Sequence, residues 1–304
     1  MLPSPQALIP AAFVLLWSTG FIGARLGLPF TEPMTFLALR FIAVIAIFAV
    51  LLAWTRPAWP KRVSLRHEAI TGVLLHSGYL GGVFAAIDRG MPAALAALIV
   101  GLQPLLTGAV VGPLLGERVS LRQWLGLALG LAGVAMVLGE KLAPGGGQVF
   151  EGFGLPALGL TLVALCSITA GTLYQKRYGG TGDWRWSAVA QYGAALVVTG
   201  TLALVMEDNH VVWSPELMVA LGWLVVVLSI GAIGLLMVLI RRGAAARVAS
   251  LFYLVPPCTG VVAWILFGET FGWLAVAGMV VAALGVALVN MRVPDRSPTS
   301  IGEG

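Results

Sequence analysis

Three histidines, thirteen carboxylates and two cysteines are the chain's stock of groups able to move protons or hold metals, and their spacing does not suit bond-making chemistry. His67, His76 and His210 are scattered, with no His-Glu-x-x-His turn. Cys166 and Cys258 match no metal-ligand spacing, and Gly145-Gly146-Gly147 is not followed by the Gly-Lys-Ser/Thr of a phosphate loop. The chain is therefore expected to be no enzyme, with no metal and no cofactor. What its residues can do is bind. His76 and Tyr79, three apart on a helix, present an imidazole and a phenol on one face, able to meet a carboxylate, an amine or a ring. Trp17 lies ten residues into its apolar run, deeper than an interfacial tryptophan, and Ser18 adds a hydroxyl beside a flat apolar surface. Gln103 and Tyr253 flank prolines: Pro104 in one apolar run, Pro256 and Pro257 in another. Proline removes a backbone donor and crowds the preceding turn, so carbonyls near 99–100 and 252–253 should lose partners and the helices should kink. Arg40, about seven residues or ~10 Å inside its run, can snorkel outward or pair with Asp88 or Glu32, and a structural or gating ion pair with Asp88 is the expected role. For Trp17 core packing is the competing expectation, and for His76 it is a single hydrogen bond to a neighbouring helix.

The elements that must position these residues follow from composition. Only 10% of residues are charged and 59% are hydrophobic, with a mean hydropathy of +0.96, against about 25% charged in a soluble domain. Apolar runs of membrane-spanning length occur at 7–24, 33–54, 67–87, 91–114, 120–139, 153–175, 187–206, 217–239, 245–267 and 271–291. Lipid offers no partner to a backbone amide, so these runs must be helices, and the fold class is an all-α membrane protein with ten transmembrane helices. Fourteen Lys and Arg residues fall in loops on the side of the N-terminus and three on the other. The positive-inside rule then places both termini in the cytoplasm. The net charge of +5 is read as this topology signal, with the lipid bilayer and not nucleic acid as partner.

The chain repeats itself. At an offset of 152, Pro104 falls on Pro256, Thr107-Gly108 on Thr259-Gly260, Gly116-Glu117 on Gly268-Glu269, and Gly133-Val134-Ala135 on Gly285-Val286-Ala287. Five spans per copy is an odd number, so the second copy enters the membrane from the opposite face and the repeats are inverted, a design that places a ligand site at the interface of the halves. The expected organisation is 1–140 for the first five-helix repeat, 141–152 for the linker, 153–292 for the second repeat and 293–304 for a cytoplasmic tail. Gly126, Gly130, Gly278, Ala282 and Gly285 make the fifth and tenth helices packing surfaces, either between halves or between protomers, so monomer and homodimer both stay open.

Trp17-Ser18-Thr19-Gly20-Phe21, Arg40-Phe41 and the paired blocks PLLTGAVVGPLLGE and PPCTGVVAWILFGE resemble the drug/metabolite transporter superfamily, EamA branch, over nearly the whole chain. The resemblance implies a ten-helix exporter of small metabolites in the bacterial inner membrane, with the YddG-type exporters of aromatic amino acids as the nearest kind. Lys or Arg deep in the cavity, as phosphorylated substrates would require, is confined to Arg40, so a small zwitterion or neutral amphipath with an apolar body fits better. Aromatic and other hydrophobic amino acids are the expected substrates, other metabolites or drugs the alternative, and a non-transporting scaffold the second alternative. No carboxylate falls at mid-membrane by this count, which points to alternating access without obligatory ion coupling.

Overall fold

The structure is a computed structural model, and it describes residues 5–60, 62–103, 106, 107, 110, 121–142, 154–179, 183–232, 235, 254–269 and 272–290. Apart from one isolated antiparallel bridge, Thr31 with Val211, the described residues form helices and their connections. In chain order these are α1 (Pro5–Gly27), a 3-10 turn (Leu28–Phe30), α2 (Pro33–Thr55), α3 (Arg62–Gly72), a first π segment (Val73–Leu80), α4 (Gly81–Asp88), α5 (Ala93–Val100), α6 (Leu121–Leu142), α7 (Leu155–Tyr178), α8 (Trp184–Met206), α9 (Pro215–Gly222), a second π segment (Trp223–Ala232), α10 (Val255–Phe267) and α11 (Trp273–Asn290). Among the described residues, six continuous helical stretches are long and apolar enough to cross a membrane: Ile9–Phe30, Pro33–Thr55, Ser64–Asp88, Leu155–Tyr178, Trp184–Met206 and Pro215–Ala232. Val50, Leu204 and Val205 stand exposed on the bundle's outside, a surface that lipid covers at no cost.

The helix ends explain where these elements begin. Ser214 accepts from the Leu217 amide at 3.1 Å and starts α9, while Asp183 accepts from the Arg185 amide at 2.9 Å and starts α8. Such caps satisfy donors that the first helical turn leaves orphaned. The cap of α2 comes from far away. Glu207, just past the end of α8, accepts from the amides of Met34 at 2.7 Å and Thr35 at 2.8 Å and from the Thr35 hydroxyl at 2.8 Å. Glu32 returns the favour, accepting from the amides of Asp208 at 3.1 Å and His210 at 3.2 Å. At its far end α10 stops on Gly268, whose φ of 66° is the left-handed conformation that lets a chain leave a helix.

Packing joins the two copies along most of their length. α2 lies on α8, α6 on α11 and α5 on α10; α1 packs on α9, the second π segment and α10, just as α7 packs on the first π segment, α4 and α5. The α6–α11 contact answers the question of the small residues. A Cβ built on Gly133 would lie 2.4 Å from the Gly278 carbonyl oxygen, and one on Gly285 2.6 Å from that of Gly126. These backbones meet within one chain, where lipid supplies no hydrophobic drive and close approach supplies dispersion.

Two expectations about proline are modified. α5 ends at Val100, four residues ahead of Pro104, and the chain turns through a Leu102-to-Ile99 backbone bond of 3.1 Å before helical bonding resumes. Pro104 itself lies outside the described residues, as does Tyr253. Pro256 and Pro257 fall in the first turn of α10, which begins at Val255, where a proline removes no intrahelical amide bond, and the break expected at 252–253 lies outside the described residues.

Candidate functional site

The two π segments occupy matching places in the two copies, Val73–Leu80 and Trp223–Ala232, in the third helix of each. Wide π turns are rare and cluster where a helix serves a site. Each carries a serine at the same register. Ser77 donates to the Ala195 carbonyl of α8 at 3.1 Å. Ser229 donates to the Leu224 carbonyl at 3.0 Å, a five-residue reach that only a widened turn offers, and its oxygen accepts from Arg40 Nε at 3.4 Å and Nη2 at 3.1 Å.

Around these serines the membrane-spanning helices gather their polar and aromatic side chains. His76 stacks on Tyr192 with ring centroids 4.3 Å apart and planes 14° from parallel. Phe41 closes the group, 6.0 Å from His76 and 5.5 Å from Tyr192. Gln191, the neighbour of Tyr192 in α8, lies beside His76, and its amide nitrogen donates to Glu68 at 2.6 Å. Arg40 lies within electrostatic reach of Tyr79, Tyr192 and His76. Phe41, Tyr192, Arg40 and Glu68 are buried, whereas His76 and Tyr79 keep part of their surface accessible although they sit midway along the bundle. The arrangement can grip a small molecule by charge, by hydroxyl and by ring.

The predicted site residues divide. Arg40, His76 and Tyr79 come together. Arg40 does not pair with Asp88: it bonds Ser229, and among the described residues the ion pairs are Arg25 with Glu269 at 3.3 Å and Arg185 with Asp183. Depth is the reason, since Asp88 faces Glu32 and Glu207 at the end of the bundle, two turns above Arg40. Ser18 is fully buried and spends its hydroxyl on the Val14 carbonyl at 2.7 Å, while its own carbonyl accepts from Thr259 at 3.4 Å. It ties α1 to α10 and faces no space. Trp17 is half-buried against Phe13, 5.4 Å away. Gln103 donates to the Thr172 hydroxyl at 2.9 Å, joining the fourth apolar run to α7. Gly78 and Gly82 leave no room beside His76, because a Cβ on either would strike α7, at Ser167 Oγ 2.5 Å and at the Leu160 oxygen 2.7 Å away.

Sequence reasoning passed over Ser229, Gln191, Tyr192 and Glu68. A signal existed for the middle pair. The second helix of each copy aligns at an offset of 151, which sets Arg40-Phe41 on Gln191-Tyr192, the same register filled by different chemistry. Glu68 was counted at the inner end of its apolar run and given no role, yet it is 3% exposed inside the bundle.

At the end of the bundle that holds the α8 cap, aromatic groups meet again. His67 Nδ1 lies 2.8 Å from the Tyr174 hydroxyl, and its ring stacks on Tyr178 at 4.8 Å. Arg185, hydrogen-bonded to Asp183 through its amide and guanidinium, holds that carboxyl below its ordinary range. Among the described residues no three His, Cys, Asp or Glu side chains gather to hold a metal.

Comparison with known proteins gives consistent results. The model of the EamA-like transporter family matches residues 7–139 and again 155–291. A Salmonella typhimurium protein named a probable amino-acid metabolite efflux pump is 29% identical, covering 92% of this chain and 93% of its own length. An Escherichia coli K12 inner membrane transporter, YedA, described as uncharacterized, is 28% identical over 94% of this chain and 91% of its own. Among solved structures, one chain superimposes with a TM-score of 0.61 at 19% identity, covering 93% of this chain and 96% of that one. The likeness is one of fold.

Proposed function

This chain belongs to the EamA-like transporter family, and from that premise we propose that it exports aromatic and other hydrophobic amino acids across a bacterial inner membrane. It is a multi-pass membrane transporter, not an enzyme. In the proposed mechanism the copies 1–140 and 153–292, inverted with respect to one another and joined by 141–152, rock about a mid-bundle site that faces each side in turn. Both termini, including the tail 293–304, lie in the cytoplasm, and the protein works as a monomer or homodimer.

One observation carries the reading: His76 and Tyr79 stay accessible deep in an apolar bundle, with Arg40 and the Tyr192 and Phe41 rings around them. Polar groups in that position are costly, and binding repays them. Rings flanked by a cation suit a small molecule with an apolar body and a polar head. The efflux-pump name of the Salmonella relative supports the amino-acid choice. Movement follows the substrate gradient without obligatory proton or sodium coupling, because the buried carboxylate Glu68 sits near the start of α3 and is already engaged by Gln191.

Counterflow of labelled phenylalanine, tryptophan and leucine into proteoliposomes preloaded with the same amino acids tests this. Exchange with no pH or sodium gradient is the expected result. Flux of other metabolites or drugs in place of amino acids would support the broader exporter reading, and no flux of any solute would support a scaffold.

A further inference from the structure

A positive charge is sealed into this bundle without a negative one beside it. Arg40 is 5% exposed within a membrane-spanning helix. Its hydrogen bonds run from two nitrogens to a single neutral acceptor, Ser229 Oγ. A guanidinium offers five donors in a planar fork that matches a carboxylate, and most of that capacity is unspent here. No carboxylate among the described residues takes it. Asp88 stands at the end of the bundle, the two ion pairs lie elsewhere, and Glu68 is held by Gln191. The other groups within electrostatic reach are the side chains of Tyr79 and Tyr192, and neither is a carboxylate.

We infer that the transported molecule itself is the missing counter-ion, and that Arg40 with Ser229 docks its carboxylate while the Phe41, His76, Tyr79 and Tyr192 rings take the remainder. The inference rests on the reading of this cluster as the substrate site and sharpens it. An intramembrane Arg with no fixed partner favours an acid over its amide or the corresponding amine. A substrate ammonium has no carboxylate waiting for it, so it meets ring faces, which attract cations. Simple organic cations are disfavoured by the same charge.

The test separates the anchor from the transport activity. Thermal unfolding of the full-length protein in lipid nanodiscs is followed with 3-phenylpropionate and with 3-phenylpropanamide, a pair differing in the carboxylate alone. The acid is expected to stabilise the parent protein at concentrations at least tenfold below the amide. Arg40→Gln is expected to remove that preference, and Arg40→Lys to keep part of it. Ser229→Asp supplies a fixed counter-ion, so it should fold at least as well as the parent yet lose the response to the acid, and it decides the matter if Arg40→Gln does not fold. Equal responses to acid and amide, no response to either, or a preference surviving in Ser229→Asp would overturn the inference. Failure of amino-acid counterflow while the acid still binds through Arg40 would remove the proposed substrates and leave the anchor standing.

Discussion

Ser77 and Ser229 hold the same place in the two π segments, 152 residues apart, and their hydroxyls reach different chemistry: a backbone carbonyl of α8 for one, the guanidinium of Arg40 for the other. A duplicated register has thus been given one charged partner and one neutral partner.

This asymmetry sets the first expectation. Ser77→Ala deletes one neutral bond between membrane helices, worth about 0.6 kcal/mol on average. Ser229→Ala strips a buried charge of its acceptor, and leaving such a group unsatisfied costs about 1–3 kcal/mol or more. Thermal unfolding in nanodiscs should show the larger loss for Ser229→Ala, and equal losses would contradict the assignment of Arg40 to Ser229.

Glu207 should prove more important than its place in a connection suggests. Glu207→Ala removes three acceptor contacts to Met34 and Thr35, and loss of a helix cap costs about 0.5–2 kcal/mol. The melting temperature should fall. Glu207→Gln keeps an acceptor oxygen without the charge and should fall by less.

The α6–α11 seam tolerates no added methyl. Gly133→Ala would put a Cβ 2.4 Å from a backbone oxygen, which must move, whereas Gly159 has nothing within 4 Å of the same atom. Detergent-solubilised Gly133→Ala should show reduced monodispersity and a lower melting temperature, and Gly159→Ala should match the parent on both measures.

His76→Ala removes the stacked partner of Tyr192. On the proposed function it should raise the KM for amino-acid counterflow about tenfold, the equivalent of 1.4 kcal/mol of binding, with the protein still inserted. An unchanged KM would assign His76 to packing.

Arg185 depresses the Asp183 carboxyl, so the ionised form stabilises the folded state. That contribution is complete above the unfolded carboxylate value of about 3.9 and disappears as pH falls through the lower folded value. Asp183→Asn should therefore melt below the parent at neutral pH, and the gap should close as the medium is acidified below about pH 4. A gap that persists in acid would assign the cap to geometry alone.

Much of the fold was legible because hydropathy and duplication are properties of the chain itself. The apolar runs at 33–54, 153–175 and 187–206 return as α2, α7 and α8 within a few residues. The site was legible only in depth. Counting along α2 places Arg40 two turns from its start, but it does not say toward which neighbour the side chain turns, and so Asp88 and Glu32 were the partners considered and Ser229 was not. The π segments left no mark in the apolar pattern, although the first packs against α7 and α8 and the second against α1 and α2. Glu68 looked like the exposed end of the run at 67–87 for a related reason: its partner is Gln191, 123 positions later.

The clasp at Glu207 has a bearing on biogenesis. The acceptor that closes the opening turn of α2 lies 173 positions downstream of Met34, so it does not exist while the first five helices are leaving the ribosome. Until the later half arrives, those amides must lean on water or lipid headgroups. The nascent first half is therefore an incomplete object, and truncation before Glu207 should yield a product that membrane quality-control proteases remove rather than a stable half-transporter.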